Sequence, residues 1–158
     1  MNYKKANSQT INLAISLGFT DNAEPTLVDI QYWLRYFFLH IEISYMKRLQ
    51  VYWVFCLGHG MVSEQPEKGA VKTKQFELYD DALEAGVEIQ LDKLSRNRGY
   101  VVGRKTLSNL TQYLRNPDNT ADMVFDTLLN AFQYLREVKQ INMTNQEMLD
   151  TFKFEPLL

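Results

Sequence analysis

The pattern of apolar positions changes at residue 40, and this change separates predicted helices from predicted strands. Between the cap-type Asn7 and Gly18, apolar residues recur at helical spacing, which predicts a short first helix with a left-handed glycine at its end. Thr26 is placed to cap a second helix that has Asp29 in its first turn. This helix is apolar on nearly every side, so we expect it to be buried on several faces or in a dimer contact.

From residue 40 the apolar residues alternate with polar ones. Ile41, Ile43 and Tyr45 follow this pattern, which is typical of a half-solvated strand. The run VYWVFCL that begins at residue 51 is apolar at both alternating sets of positions, as a central strand would be. We expect these two segments to form an antiparallel hairpin, with residues 71–78 returning as a third strand.

The segment FELYDDALEAGVEIQLDKL, residues 76–94, indicates the end of a strand that leads directly into an acidic amphipathic helix. Leu83, Val87 and Leu91 recur at helical spacing and should lie against the sheet. Glycine inside a helix costs about 1 kcal/mol relative to alanine. Gly86 therefore indicates close packing against a neighbouring backbone.

Beyond this helix the pattern predicts mainly helices. Residues 100–102, which lie between glycines, form either a short fourth strand or an ordered loop. Helices are then expected over residues 107–114, over residues 121–138, and after Thr144, which opens a TxxE capping box.

These elements predict an α+β fold in which helices pack on a small antiparallel sheet of about three or four strands, with an all-helical C-terminal third. Residues 1–98 would form the α+β unit. Residues 99–158 would form a helical extension packed as part of the same domain, because 158 residues suit one domain with a substantial core.

The composition is that of a soluble globular protein, with 46% hydrophobic and 23% charged residues, and it excludes a disordered chain. No apolar stretch approaches the roughly 20 residues of a spanning helix, and no signal-peptide core follows the first cations. We therefore expect a cytoplasmic protein with no membrane association. Cys56 is the single cysteine, which excludes an internal disulfide.

Residues of about 27–95 resemble a family of small uncharacterised proteins of bacterial prophages and mobile elements. Those proteins have a helix that ends in WLR, a strand that begins with HI, and a later FxTYEEALExG segment that opens a helix. The matching positions are Trp33, Leu34, Arg35, His40, Ile41, Phe76, Tyr79, Asp80, Asp81, Ala82, Leu83, Glu84 and Gly86. Leu78 replaces the threonine of the pattern, so the usual helix cap is missing. The resemblance implies a fold and a prophage setting, and no activity.

The candidate catalytic residues do not form a complete set. Cys56 and His59 are three residues apart, which suggests a thiolate and imidazole pair or half of a metal site. A catalytic thiol also needs an oriented base, and structural zinc needs four ligands, whereas the chain has one cysteine and two histidines. We therefore expect a buried apolar role for Cys56 and a loop position for His59. The expectation is no enzyme, no metal and no cofactor.

Two clusters of charge follow each other along the chain. Asp81, Glu84, Glu88 and Asp92 share one helical face, which favours a solvated acidic surface over paired catalytic carboxylates. Residues 93–117 contain no carboxylate. The candidate residues for binding nucleic acid or another anion lie in this segment, and they are Lys93, Arg96, Arg98, Tyr100, Arg104, Lys105 and Arg115.

Such cations near glycines can bind phosphate groups, and Tyr100 could stack on a base. The alternative is that the cations pair with the acidic helices before and after them. The sequence leaves both interpretations open.

The aromatic row at the end of the second predicted helix has two interpretations as well. Trp33, Tyr36 and Phe37 are either core residues or a self-association surface. The first functional hypothesis is a non-enzymatic interaction protein, of prophage or mobile-element origin, that acts on a protein partner or as a homodimer. The second is a nucleic-acid-binding accessory factor that uses residues 93–115.

Overall fold

The computed structural model describes residues 4–19, 24–57, 75–108 and 110–158. Its helices are α1 (Ser8–Ser16), α2 (Leu27–Arg35), α3 (Tyr79–Ser95), α4 (Leu128–Glu137) and α5 (Asn145–Thr151). Its strands are β1 (His40–Met46), β2 (Val51–Leu57), β3 (Gln75–Phe76), β4 (Tyr100–Lys105), β5 (Thr111–Tyr113) and β6 (Lys153–Pro156). The α+β class is confirmed.

The first two helices begin where the capping residues predict. The Asn7 side chain accepts a hydrogen bond from the backbone N–H of Thr10 at 2.8 Å. Thr26 and Asp29 form a reciprocal capping box, in which each side chain accepts from the backbone N–H of the other residue. Gly18 follows α1 with a φ of +110°, a conformation that glycine adopts without steric cost.

The first sheet has the order β1-β2-β3, and both pairings are antiparallel. The predicted hairpin is confirmed, and β2 is the central strand. Only Gln75–Phe76 of the predicted third strand is a strand within the described part of the chain, because residues 71–74 lie outside it. Helix α3 packs on this sheet and buries Leu83, Val87 and Leu91.

A second sheet corrects the prediction of an all-helical C-terminal third. Strands β5 and β6 flank β4 in the order β5-β4-β6, and both pair with it in antiparallel fashion. Residues 100–102 thus belong to a strand. The strand β6 pairs with a partner about fifty residues earlier in the chain, and such a pairing leaves no local signal in the sequence.

Two of the predicted C-terminal helices were wrong in whole or in part. Leucines at helical spacing suggested a helix over residues 107–114, but Leu107 and Leu110 are exposed, so their spacing does not mark a core face. Helix α4 begins at Leu128 instead of residue 121. Phe125 and Tyr100 exchange two backbone hydrogen bonds, of 2.7 and 2.8 Å, which hold the preceding residues extended. The helix after Thr144 is confirmed as α5.

One cluster of buried side chains extends from Ala6 to Phe154. Phe37 of the first half meets Tyr100 of the second with ring centroids 5.9 Å apart. The domain boundary at residue 98 stays a prediction, although the second part contains strands as well as helices. Among the described residues, no helix combines the length and hydrophobicity needed to cross a membrane.

Candidate functional site

Two adjoining hollows lie on the side of the molecule where the edge of the second sheet meets the helices. The first, of about 460 Å³, lies between β4, β5 and the C-terminal end of α4. The second, of about 470 Å³, lies between the C-terminal end of α2 and the segment from α5 to β6. Both are lined by Arg104 and Phe152. We call this double hollow the cationic face, since its lining includes Arg35, Arg104, Arg115, Lys139 and Lys153.

Arg104 stands at the junction because of its position in β4. Alternate residues of a strand share a face, so Arg104 follows Tyr100 and Val102 on the side that faces the core. Those two residues are buried, whereas Arg104 is exposed. Arg104 pairs with Gln112 of β5, and its neighbour Gly103 pairs with Lys153 of β6. These pairings fix the Arg104 backbone, while its side chain is exposed. Arg104 makes no ion pair with any residue that the structure describes.

The other cations of the face are held in different ways. The Arg115 guanidinium lies 3.3 Å from the Asp122 carboxylate. The Lys153 ammonium lies 3.7 Å from Glu155 and 4.8 Å from the centroid of the Phe38 ring. Arg35 lies over the ring of Tyr32. Exposed ion pairs contribute little energy, so these cations keep most of their ability to bind an external anion.

Acidic groups are scarce in the lining. Of the described residues that line the two hollows, Asp150 is the only acid. Its carboxylate accepts hydrogen bonds from the Tyr36 hydroxyl at 2.5 Å and from the Gln146 amide at 3.3 Å. The described lining therefore holds five cations and one carboxylate, and Asp122 and Glu155 pair with two of these cations from outside it.

The floor of the cationic face is apolar. Val102, Leu114, Leu135 and Ile141 line the first hollow, and Leu149 lines the second. Phe152 contributes to both and is half-buried. A floor of this kind beneath a rim of cations can bind an anionic ligand that also carries apolar groups.

The structure brings together part of the predicted basic segment. Arg104 and Arg115 line the first hollow. Arg96 instead pairs with Asp92 at 2.8 Å, as the charge-pairing interpretation expects. Lys93 lies in the last turn of α3, and Arg98 is exposed outside both hollows. Lys105 belongs to β4, and its side chain lies outside the description.

Tyr100 does not reach the surface. Its side chain is 2% exposed and packs against Phe37. Burial raises the pKa of its phenol to about 12, and a hydrogen bond with Asn97 acts in the opposite direction. In this fold the Tyr100 ring is covered by the chain itself.

Sequence reasoning missed three cations of the face, namely Arg35, Lys139 and Lys153. They come from the end of α2, from the residues after α4, and from β6. None lies in the segment from 93 to 115, and no local pattern links them to it. The pairing of β6 with β4 places Lys153 opposite Gly103, while α2 and the residues after α4 bring Arg35 and Lys139 to the same face.

The predicted self-association residues occupy different depths. Trp33 is 5% exposed and Phe37 is fully buried. The centroids of their rings lie 4.9 Å apart. Tyr36 is half-buried. Self-association through this group stays a prediction, and within this fold only Tyr36 of the three reaches the surface.

The other candidate residues are not assembled into a site. Cys56 is buried, and its thiol is directed at the carbonyl oxygen of Gly86 at 3.8 Å. His59 lies outside the described residues. Lys4 pairs with Asp81 and Glu84 on the acidic face of α3. No group of three metal-ligating side chains occurs within residues 4–19, 24–57, 75–108 and 110–158.

Compared with protein-family models, with curated proteins and with solved structures, the chain matches none of them.

Proposed function

We propose that the protein is a non-enzymatic interaction protein that binds a protein partner through its cationic face. One observation carries the proposal: cations from separate parts of the chain converge around two hollows that have an apolar floor. Cations accelerate and orient the encounter with an acidic partner. The apolar floor supplies the surface whose burial stabilises the complex.

Two cations of the face are not engaged in holding the fold together, which supports a binding role. Arg104 and Lys139 are exposed, and neither pairs with an acid among the described residues. Phe38, which lines the second hollow, is 39% exposed. Its backbone has a left-handed φ of 62°, which is uncommon for a bulky residue. Exposed aromatic and arginine side chains are enriched where proteins bind one another.

The proposal is tested by affinity capture from a lysate of the source cells. The double variant Arg104→Gln/Lys139→Gln removes two charges from the face. The control Arg98→Gln/Lys47→Gln removes two charges from exposed residues elsewhere. A specific partner should be retained by the parent and by the control but lost by the double variant. Equal retention of every captured protein by all three would contradict the proposal.

A nucleic-acid-binding accessory factor is the second candidate. The observation in its favour is that Arg104, Arg115 and Lys139 line one hollow. A protein that neutralises about three phosphates should lose affinity for a labelled single-stranded oligonucleotide with a log–log salt slope of about −2. Changing Arg104, Arg115 and Lys139 together to alanine should weaken that binding. An unchanged affinity would eliminate this candidate.

The remaining expectations from the sequence stay predictions. They are the prophage or mobile-element setting, the cytoplasmic location and the homodimer. Light scattering on the parent protein tests the homodimer directly. A genomic neighbourhood of phage genes would support the setting.

A further inference from the structure

We infer that the cationic face binds an acidic peptide segment in which apolar side chains flank a carboxylate, with the carboxylate on Arg104 and one apolar side chain in each hollow. This inference rests on the proposed function and names the class of partner. It follows from the arrangement of the two hollows, from their floor, and from the position of Asp150.

A ligand that occupies both hollows must pass over Arg104, where the two hollows adjoin. The hollows meet at Arg104 and Phe152, and each extends away from that junction with its own apolar floor. Their volumes, about 460 and 470 Å³, lie within the usual range of ligand pockets. Each can therefore receive a large apolar side chain together with adjoining backbone. A ligand that fills both presents its middle portion to the guanidinium.

The chemistry of the junction favours a carboxylate in that middle portion. A guanidinium binds a carboxylate through two parallel hydrogen bonds, and such charge-assisted pairs are strong. Lys139 and Arg115 line the first hollow near Arg104, so a second carboxylate of the same segment also meets a cation there.

Two features favour a peptide over a nucleic acid. Single-stranded nucleic acids bind largely by stacking bases on aromatic rings. The Tyr100 ring is buried, and the other aromatic residues that line the hollows are half-buried, apart from Phe38, which contacts the Lys153 ammonium. Asp150 also faces the second hollow, where it repels the regularly spaced charges of a phosphate backbone. A peptide can place an apolar side chain beside Asp150 and keep its carboxylates at Arg104.

The experiment measures fluorescence anisotropy with a panel of short synthetic probes. The first probe is a labelled peptide with the core Leu-Glu-Glu-Phe between Gly-Ser ends. In the second probe both glutamates are replaced by glutamine. In the third probe leucine and phenylalanine are replaced by serine. The fourth is a mixed-sequence single-stranded oligonucleotide.

The first probe should bind, and the other three should bind at least about tenfold more weakly, because each loses a charge-assisted contact or the apolar contacts. Arg104→Gln should weaken the first probe by about tenfold or more. Arg104→Lys should have an intermediate effect, since it keeps the charge but loses the second hydrogen bond. Arg98→Gln is the matched control and should stay within about twofold of the parent. Circular dichroism confirms that each variant is folded.

Several outcomes overturn the inference. Equal binding of the glutamine or the serine probe shows that charge or apolar contact is not required, and failure of the first probe removes the occupant proposed. If the peptides fail while a captured cellular protein still requires Arg104 and Lys139, only the class of partner is wrong. If that capture is also independent of both residues, the proposed function fails as well. Preferential, Arg104-dependent binding of the oligonucleotide replaces the peptide with nucleic acid.

Discussion

Substitution of Gly86 by alanine tests how closely α3 approaches the first sheet. In an ordinary helix interior this change stabilises the protein by about 1 kcal/mol. At Gly86 the new Cβ atom would lie 2.6 Å from Cγ2 of Ile41 and 3.2 Å from Cγ1 of Val54. Both neighbours are buried, at 5% and 1% exposure. Because each is branched at Cβ, its methyl groups move only if χ1 or the backbone changes.

The structure gives the sign and the size of the effect. Carbon atoms attract each other best at about 3.5–4.0 Å, so a separation of 2.6 Å is a severe clash. Overpacking a core costs about 1–3 kcal/mol, and a clash this close belongs in the upper part of that range. After the helix gain of about 1 kcal/mol, Gly86→Ala should destabilise the protein by about 1–2 kcal/mol.

Urea unfolding followed by circular dichroism measures this change. The matched test is a double-mutant cycle with Ile41→Ala, which removes the clashing Cγ2 atom. In that background Gly86→Ala should be neutral or should stabilise by up to about 1 kcal/mol. If Gly86→Ala alone stabilises the parent by the full helix-propensity amount, the close approach of α3 to β1 is wrong.

Three further predictions concern a cap, the core and alkaline pH. Thr26→Ala should cost about 1 kcal/mol in urea unfolding because α2 loses its N-cap oxygen, while Thr26→Ser should stay near the parent. Phe37→Ala should cost about 3–5 kcal/mol because it empties a buried site, and light scattering should show an unchanged oligomeric state; dissociation of a folded dimer would contradict the core assignment. The hydrogen bond to Glu155 raises the pKa of Tyr113 from 10.0 to about 12. Stabilisation by this bond is therefore complete below pH 10 and is lost as the pH rises through about 12. In urea unfolding at increasing pH, Tyr113→Phe should lose less stability over that range than the parent. An identical loss in both proteins would refute the role of this bond.

The parts of the fold that depend on neighbouring residues could be predicted from the sequence. Asn7 and Thr26 cap helices through side chains that act over three residues. The hairpin follows from alternation along β1 and β2, and Gly86 indicated close packing. That packing is against side chains of the sheet, whereas the sequence suggested a backbone contact. Each of these features could be predicted from residues that are close together in the sequence.

The C-terminal third shows where local patterns fail. The leucines of residues 107–114 have helical spacing, but Leu107 and Leu110 are exposed and carry no core face. The strand pairing of Thr111–Tyr113 depends on β4, and β4 is also completed by a strand from the end of the chain. Local propensity is a weak guide wherever such tertiary pairing decides the structure.

The candidate site could be predicted only where its residues lie close together in the sequence. Arg104 and Arg115 were identified because they lie in a carboxylate-free segment. Arg35, Lys139 and Lys153 join them only through the packing of α2, α4 and β6 around the second sheet. Three of the five cations could therefore not be predicted, because they lie far from residues 93–115 in the sequence.

The most direct test of the cationic face is an NMR titration of the labelled protein with the Leu-Glu-Glu-Phe peptide. Backbone amide shifts should appear at residues 102–104, 112–115 and 149–153, which line the two hollows. The amides of α3 should not move, and Arg104→Gln should abolish the shifts at equal peptide concentration. Shifts that are centred on α3, or that persist unchanged in Arg104→Gln, would contradict a binding face centred on Arg104.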